Sequence, residues 1–252
     1  MNLPINEIIC GDCLIEMPKI PDKSIDMILC DLPYGTTACS WDTIIPFEPL
    51  WEQYKRIIKD NGAIVLTASQ PFTSALVMSN IKMFKYEWIW EKNKPSGMAT
   101  SKYMPMKEHE NILVFSNGKT KFNSIKELTK SKSSLKNAQM GYLNKGNFTS
   151  KIDNIKATQN KWNEYVNPRT ILRIDVEPMR KGRLHPTQKP VALFEYLIKT
   201  YTNEGDLVLD NCAGSGTTAI AAKNLNRNYI LIEINPKYVE ICKKRLAQQL
   251  LI

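Results

Sequence analysis

The chain has 252 residues, of which 43% are hydrophobic, and a formal net charge of +9. That size and apolar share suit one domain with a sizeable core and an inserted segment. No run of 18 uncharged apolar residues offers a membrane span, and the N-terminus lacks the basic and apolar regions of a secretion signal, so a cytoplasmic protein with no membrane partner is expected.

The first apolar run, Ile8 to Cys10, leads into Gly11-Asp12. Cys10 and Cys13 form a C-x-x-C, but no second such pair exists to complete a zinc site, so no metal is expected. A second run, Ile25 to Cys30, ends at Asp31-Leu32-Pro33-Tyr34. Phe47, Leu50, Trp51, Tyr54 and Ile58 then recur at helical spacing behind Pro46. Ala63 to Thr67 follows the turn Asp60-Asn61-Gly62 and reads as a strand. Tyr86–Trp90 and Asn111–Phe115 have no apolar helix between them and predict an antiparallel hairpin at a sheet edge.

The positive charge is concentrated beyond this hairpin. Asn117 to Arg183 holds 15 Lys/Arg against 5 Asp/Glu, while the rest of the chain nets −1. Lys119 to Asn160 is thin in apolar residues and reads as an insertion whose positive charge attracts a polyanion. Pro190 then opens a helix on Phe194, Leu197, Ile198 and Tyr201. Leu207–Leu209, a glycine turn, a helix from Thr217 and the strand Tyr229–Ile232 make a β-α-β unit, and Asn235-Pro236 starts a helix through Leu246. Strands alternating with helices, without clean polar alternation in the strands, indicate a mainly parallel α/β sheet covered on both faces.

Two loops carry chemistry. In Asp210-Asn211-Cys212-Ala213-Gly214-Ser215-Gly216-Thr217-Thr218, glycines let backbone approach a ligand and the helix N-terminus adds free N–H donors. Glu233, at the end of the next strand, is placed to accept from ribose hydroxyls, so the unit points to a nucleoside cofactor. Ala219 stands where a third glycine would favour a dinucleotide. Asp31-Leu32-Pro33-Tyr34 lies at a strand's C-terminal end, where open α/β sheets bind ligands. A carboxylate and a rigidly presented carbonyl can hold a base's exocyclic amine in attacking geometry, and an aromatic ring can stack on an extruded base. Without a Pro-Cys dipeptide, thiolate attack on cytosine C5 is not expected.

The two loops resemble motifs IV and I of the N4/N6 amino-methyltransferases, in the order found in the beta group of adenine-N6 DNA methyltransferases. Ile9–Leu14 resembles that family's N-terminal cofactor segment, Trp88–Pro95 its strand and loop beside the target pocket, and His185–Pro190 the segment before the cofactor loop. The resemblance implies a Rossmann-like, mainly parallel seven-stranded methyltransferase sheet with helices on both faces. It implies a catalytic and cofactor-binding domain over 1–117 and 184–252 and a basic target-recognition insertion over 118–183. Carried over by residue, Asp31 and the carbonyl of Leu32 or Pro33 hold the target amine, and Tyr34 stacks. Asp12, Cys13, Lys189, Asp210, Cys212, Ala213, Gly214, Ser215, Gly216, Thr217, Thr218 and Glu233 form the cofactor site for S-adenosylmethionine. Arg169, Arg173, Arg180 and Arg183 are the candidates for contact with duplex DNA. Leu32 replaces the family's usual proline, and Asn211-Cys212 its usual proline-phenylalanine.

Asp rather than Ser at position 31 favours adenine N6 over cytosine N4 in this family. RNA adenine or cytosine-N4 methylation is the alternative activity, and a catalytically silent DNA-binding protein the non-enzymatic one. A restriction endonuclease partner and a homodimer stay open at the level of sequence, with the nucleoid as the expected place of work.

Overall fold

The computed structural model describes residues 3–37, 42–128, 165–176 and 188–248. Its strands are β1 (Glu7–Cys10), β2 (Ile25–Asp31), β3 (Ile58–Ala68), β4 (Phe84–Ser96), β5 (Lys107–Phe115), β6 (Glu127–Leu128), β7 (Tyr165–Val166), β8 (Ile171–Arg173), β9 (Leu207–Asp210) and β10 (Asn228–Glu233). The helices are α1 (Cys13–Glu16), α2 (Phe47–Ile57), α3 (Phe72–Ser79), α4 (Val191–Tyr201), α5 (Thr217–Asn224) and α6 (Pro236–Gln248). One sheet holds eight strands in the order β1-β10-β9-β2-β3-β5-β4-β8.

From β1 to β3 all neighbours are parallel. Only β5 runs against its neighbours, pairing antiparallel with both β3 and β4. The expected hairpin is therefore present, with Trp88 opposite Ile112, but it does not form the edge. The expectation of seven strands is corrected to eight, because β8 adds in parallel to β4. This strand has three residues and one buried side chain, Leu172, too short to leave a pattern in the sequence.

The sheet lies between two apolar layers, which explains strands without clean alternation. Along β2, Ile28 and Cys30 join one layer with Leu50, Trp51, Tyr54 and Ile57 of α2. Met27 and Leu29 point the other way, to Leu193, Phe194, Leu197 and Ile198 of α4. Burial on both faces makes β2 an enclosed scaffold for the residue at its end.

The chain divides into two compact units, Met1–Asn123 with Thr170–Ile252, and Ser124–Arg169. Of the second, the described part is β6 paired antiparallel with β7. The insertion limits expected at 118 and 183 enclose residues of the first unit: Asn123 donates its backbone N–H to Thr200 O at 2.7 Å, and Thr170 O accepts from Ile89 N at 2.7 Å.

Candidate active site

Parallel pairing brings the C-terminal ends of β1, β10, β9, β2 and β3 to one edge of the sheet. Chain order reverses between β2 and β9, the position where open α/β sheets bind ligands. Asp31 ends β2 and Asp210 ends β9, so both loops singled out by sequence flank this point.

Asp31 is held from several directions. Its Oδ1 accepts from Tyr34 Oη at 2.8 Å and from the Thr67 hydroxyl on β3. The Lys189 ammonium lies 2.7 Å from Oδ1 and 2.8 Å from Oδ2. Tyr34 Oη also bonds Thr67 Oγ1 at 2.9 Å, while its ring stacks on Phe72 at 5.3 Å and 25°. Burial first, then the Asp31 charge, raises the Tyr34 pKa well above that of a free phenol, so the hydroxyl stays protonated. Leu32 is 3% exposed and anchors the loop in the core. Asp42, 8% exposed, takes the backbone N–H groups of Gly35, Thr36 and Thr37 at 2.7–2.9 Å and pins the chain beyond Tyr34.

A second carboxylate stands behind the first. Glu110 on β5 pairs with Lys92 on β4 at 3.2 Å, and its Oε2 is 3.2 Å from the Lys189 ammonium. Burial works against charge on both Glu110 and Lys189. For Glu110 the ammonium groups of Lys189 and Lys92 outweigh it and lower the pKa. For Lys189 the Asp31 carboxylate, then Tyr34 and Glu110, outweigh it and raise the pKa well above the usual lysine value, so the ammonium persists at neutral pH. Lys189, expected among the cofactor residues, directs its charge at Asp31.

The cofactor loop is fixed by its own acids. Glu233, 7% exposed, accepts Gly214 N on Oε2 and Asn235 N on Oε1, each at 2.8 Å. Burial raises its pKa against the pull of these two N–H groups. Asp210 accepts Cys212 N at 3.1 Å and Thr218 Oγ1 at 2.5 Å. Desolvation pushes its pKa up to about 6. Gly214 and Gly216 have φ of +52° and +78°, and a Cβ on Gly216 would meet Cys242 Sγ at 3.0 Å. Arg245 on α6 donates to Ser215 O at 2.6 Å, closing the loop from below.

This loop fits a nucleoside cofactor. Its backbone is bare where the turn needs positive φ, and Glu233 retains lone pairs for hydroxyl donors after its two backbone bonds. Asp12, two residues beyond β1, caps α1 by accepting Leu14 N at 2.8 Å. Cys13 is buried and packs with Cys30 and Cys212 in the core layer, and Ala213, Thr217 and Thr218 are buried too.

The sequence-derived residues of the two loops thus converge on one edge of the sheet. Arg169 is exposed at the end of the second unit, and Arg173 is exposed on β8, 3.1 Å from Glu91. Arg180, Arg183 and His185 lie outside the described residues. Sequence reasoning missed Thr67, Glu110, Lys92 and Asp42. The first two reach Asp31 and Lys189 only through strand pairing, as in the Asp31–Thr67 register, which leaves no local signal.

A family model described as DNA methylase matches residues 25–244. The chain is 30% identical over 262 residues to the Type II methyltransferase M.HpaI of Haemophilus parainfluenzae, spanning 96% of this chain and 74% of that protein. It is 30% identical over 251 residues to the DNA adenine methyltransferase YhdJ of Escherichia coli (strain K12), spanning 95% and 82%. The crystal structure of the M1.HpyAVI-SAM complex superposes with a TM-score of 0.61 at 27% identity, covering 95% of this chain and 98% of that one. The cytosine-N4-specific PvuII DNA methyltransferase shares the fold, with a TM-score of 0.65 at 16% identity over 95% of this chain and 85% of that one.

Proposed function

This chain belongs to the DNA methylase family, and on that footing we propose that it transfers a methyl group from S-adenosylmethionine to N6 of adenine in DNA. The observation that carries the reading is the placement of Asp31 and the glycine loop at the ends of the adjacent strands β2 and β9. S-adenosylmethionine supplies, when bound, a methyl group on a sulfonium centre. Asp12, Glu233 and the 210–218 loop are the residues that would hold it.

The chain's own part is to make a poor nucleophile attack. An adenine amine has its lone pair drawn into the ring. By accepting a hydrogen from that amine, the Asp31 carboxylate returns electron density to nitrogen, and it can take the proton the methylated amine must lose. Thr67 and Tyr34 fix the carboxylate, and the Tyr34 ring, backed by Phe72, offers a surface for a flipped base. The positive segment supplies attraction to duplex phosphates, with Arg169, Arg173, Arg180 and Arg183 proposed as contacts. DNA as substrate puts its place of work at the nucleoid. A restriction endonuclease reading the same site is the proposed companion, a reading that draws on the Type II name of the relative M.HpaI. A homodimer is tested by mass in solution.

Labelled S-adenosylmethionine and unmethylated DNA, followed by digestion and mass spectrometry of nucleosides, tests the assignment. The wild type should yield N6-methyladenine. Asp31→Ala should lose at least ~10²-fold in rate, the scale of removing one preorganised polar group, while keeping cofactor affinity. N4-methylcytosine as the product, or an active Asp31→Ala, overturns it.

A further inference from the structure

Lys189 stands where the proposed reaction needs something else. Its ammonium bonds both oxygens of Asp31, at 2.7 and 2.8 Å, and lies 5.5 Å over the Tyr34 ring. A target adenine must reach this same carboxylate with its amine and this same ring with its face. The other partner of the ring is already Phe72. Lys189 is 7% exposed, so an ammonium that leaves Asp31 and stays buried needs another carboxylate to keep its charge.

That receiver is present. Glu110 Oε2 is buried without a hydrogen-bond partner among the described residues, and it lies 3.2 Å from the Lys189 ammonium but outside hydrogen-bond geometry. The other oxygen of Glu110 is occupied by Lys92, which keeps the carboxylate in place. Oε2 is thus ion-paired with Lys189 but not well hydrogen-bonded by it, a shortfall that a small movement of Lys189 would relieve.

We propose that Lys189 is a displaceable stand-in for the target amine, seated on Asp31 in the free enzyme and crossing to Glu110 when the flipped base arrives. This rests on the adenine-N6 reading above. Lys189 is then a positioning residue, exchanging one carboxylate for another so that base entry leaves no buried ammonium unpaired.

The test begins with wild-type enzyme and S-adenosylmethionine on genomic DNA, whose methylated positions define the target site. Duplexes that keep adenine at that position and carry 2-aminopurine as its neighbour then report base capture by the fluorescence gained when the target adenine leaves the stack. Glu110→Gln removes the receiving charge, so the ammonium stays on Asp31 and base capture should weaken at least tenfold, with cofactor affinity unchanged. Lys189→Met clears the subsite and should capture the base at least as well as the wild type. The decisive protein is the double variant: adding Lys189→Met to Glu110→Gln should restore capture, which a merely structural role for either residue would not do. A double variant no better than Glu110→Gln, or Glu110→Gln capturing like the wild type, overturns the proposal alone. A wild type that makes no N6-methyladenine overturns the adenine reading and the proposal with it.

Discussion

Asp210 is a buried carboxylate whose bonds to Cys212 N and Thr218 Oγ1 do not offset its desolvation, so its pKa stands at about 6 against an ordinary 3.8. For an acid raised in this way, folding favours the protonated form. The stability it contributes is complete below about 3.8 and is lost as pH rises through about 6. The gap between the two values corresponds to about 3 kcal/mol at neutral pH, borne by the fold to keep a charge beside the cofactor loop. Asp210→Asn keeps the shape and removes the charge. Urea unfolding of both proteins should show the variant gaining on the wild type by up to about 3 kcal/mol between about pH 4 and about pH 8. A difference that does not move with pH would contradict this account. The residues that carry a charge into the site were legible where they sit at the end of an apolar run, as Asp31, Asp210 and Glu233 do. Lys189 was visible as a residue, but its partner was not, because the 158 positions separating it from Asp31 are closed only by the sheet.

At the scale of elements, α2 does more than cover the sheet. Leu50, Trp51, Tyr54 and Ile57 form its buried face, and the Tyr54 hydroxyl donates to Asn211 Oδ1 at 2.6 Å beneath the cofactor loop. The helix was plain from its spacing; this bond was not, although it gives the departure from proline-phenylalanine at Asn211-Cys212 a physical reason. Asn211 is 2% exposed, so Tyr54→Phe leaves its carbonyl without that donor and should cost about 1–3 kcal/mol. The loop should loosen with it, raising the Kd for S-adenosylmethionine several-fold by fluorescence titration. Replacing both partners, as in Tyr54→Phe with Asn211→Leu, should recover part of the stability because no buried polar group is then stranded. The strands show the same division. Paired faces of β2 and β3 gave continuous apolar runs, whereas β8, with one buried residue, had nothing to distinguish it from the polar segment around it.

For the whole molecule the charge asymmetry decides how it meets DNA. Several cations of the first unit are engaged internally: Lys121 pairs with Asp206 at 2.6 Å, Lys59 with Asp26 at 2.7 Å, and Lys92 and Lys189 with Glu110. These cations support the fold or the site and have little left for phosphates. The positive excess of the chain lies within residues 117–183, the stretch proposed above to meet a polyanion. Each phosphate contact it makes releases counterions and steepens the fall of affinity with salt by about 0.9 in log–log slope. Lys130, Lys132, Lys136 and Lys145 lie in this segment, outside the described residues. Changing all four to Gln should reduce the slope by up to about 3.6 if each meets a phosphate. Cofactor affinity and the N6-methyladenine product at low salt should persist, since none of the four belongs to the Asp31 or Asp210 loops. Filter binding across about 50–200 mM salt reads the slope directly. A slope unchanged in the quadruple variant would move the phosphate contacts onto the first unit, where they would have to compete with the ion pairs that hold its carboxylates.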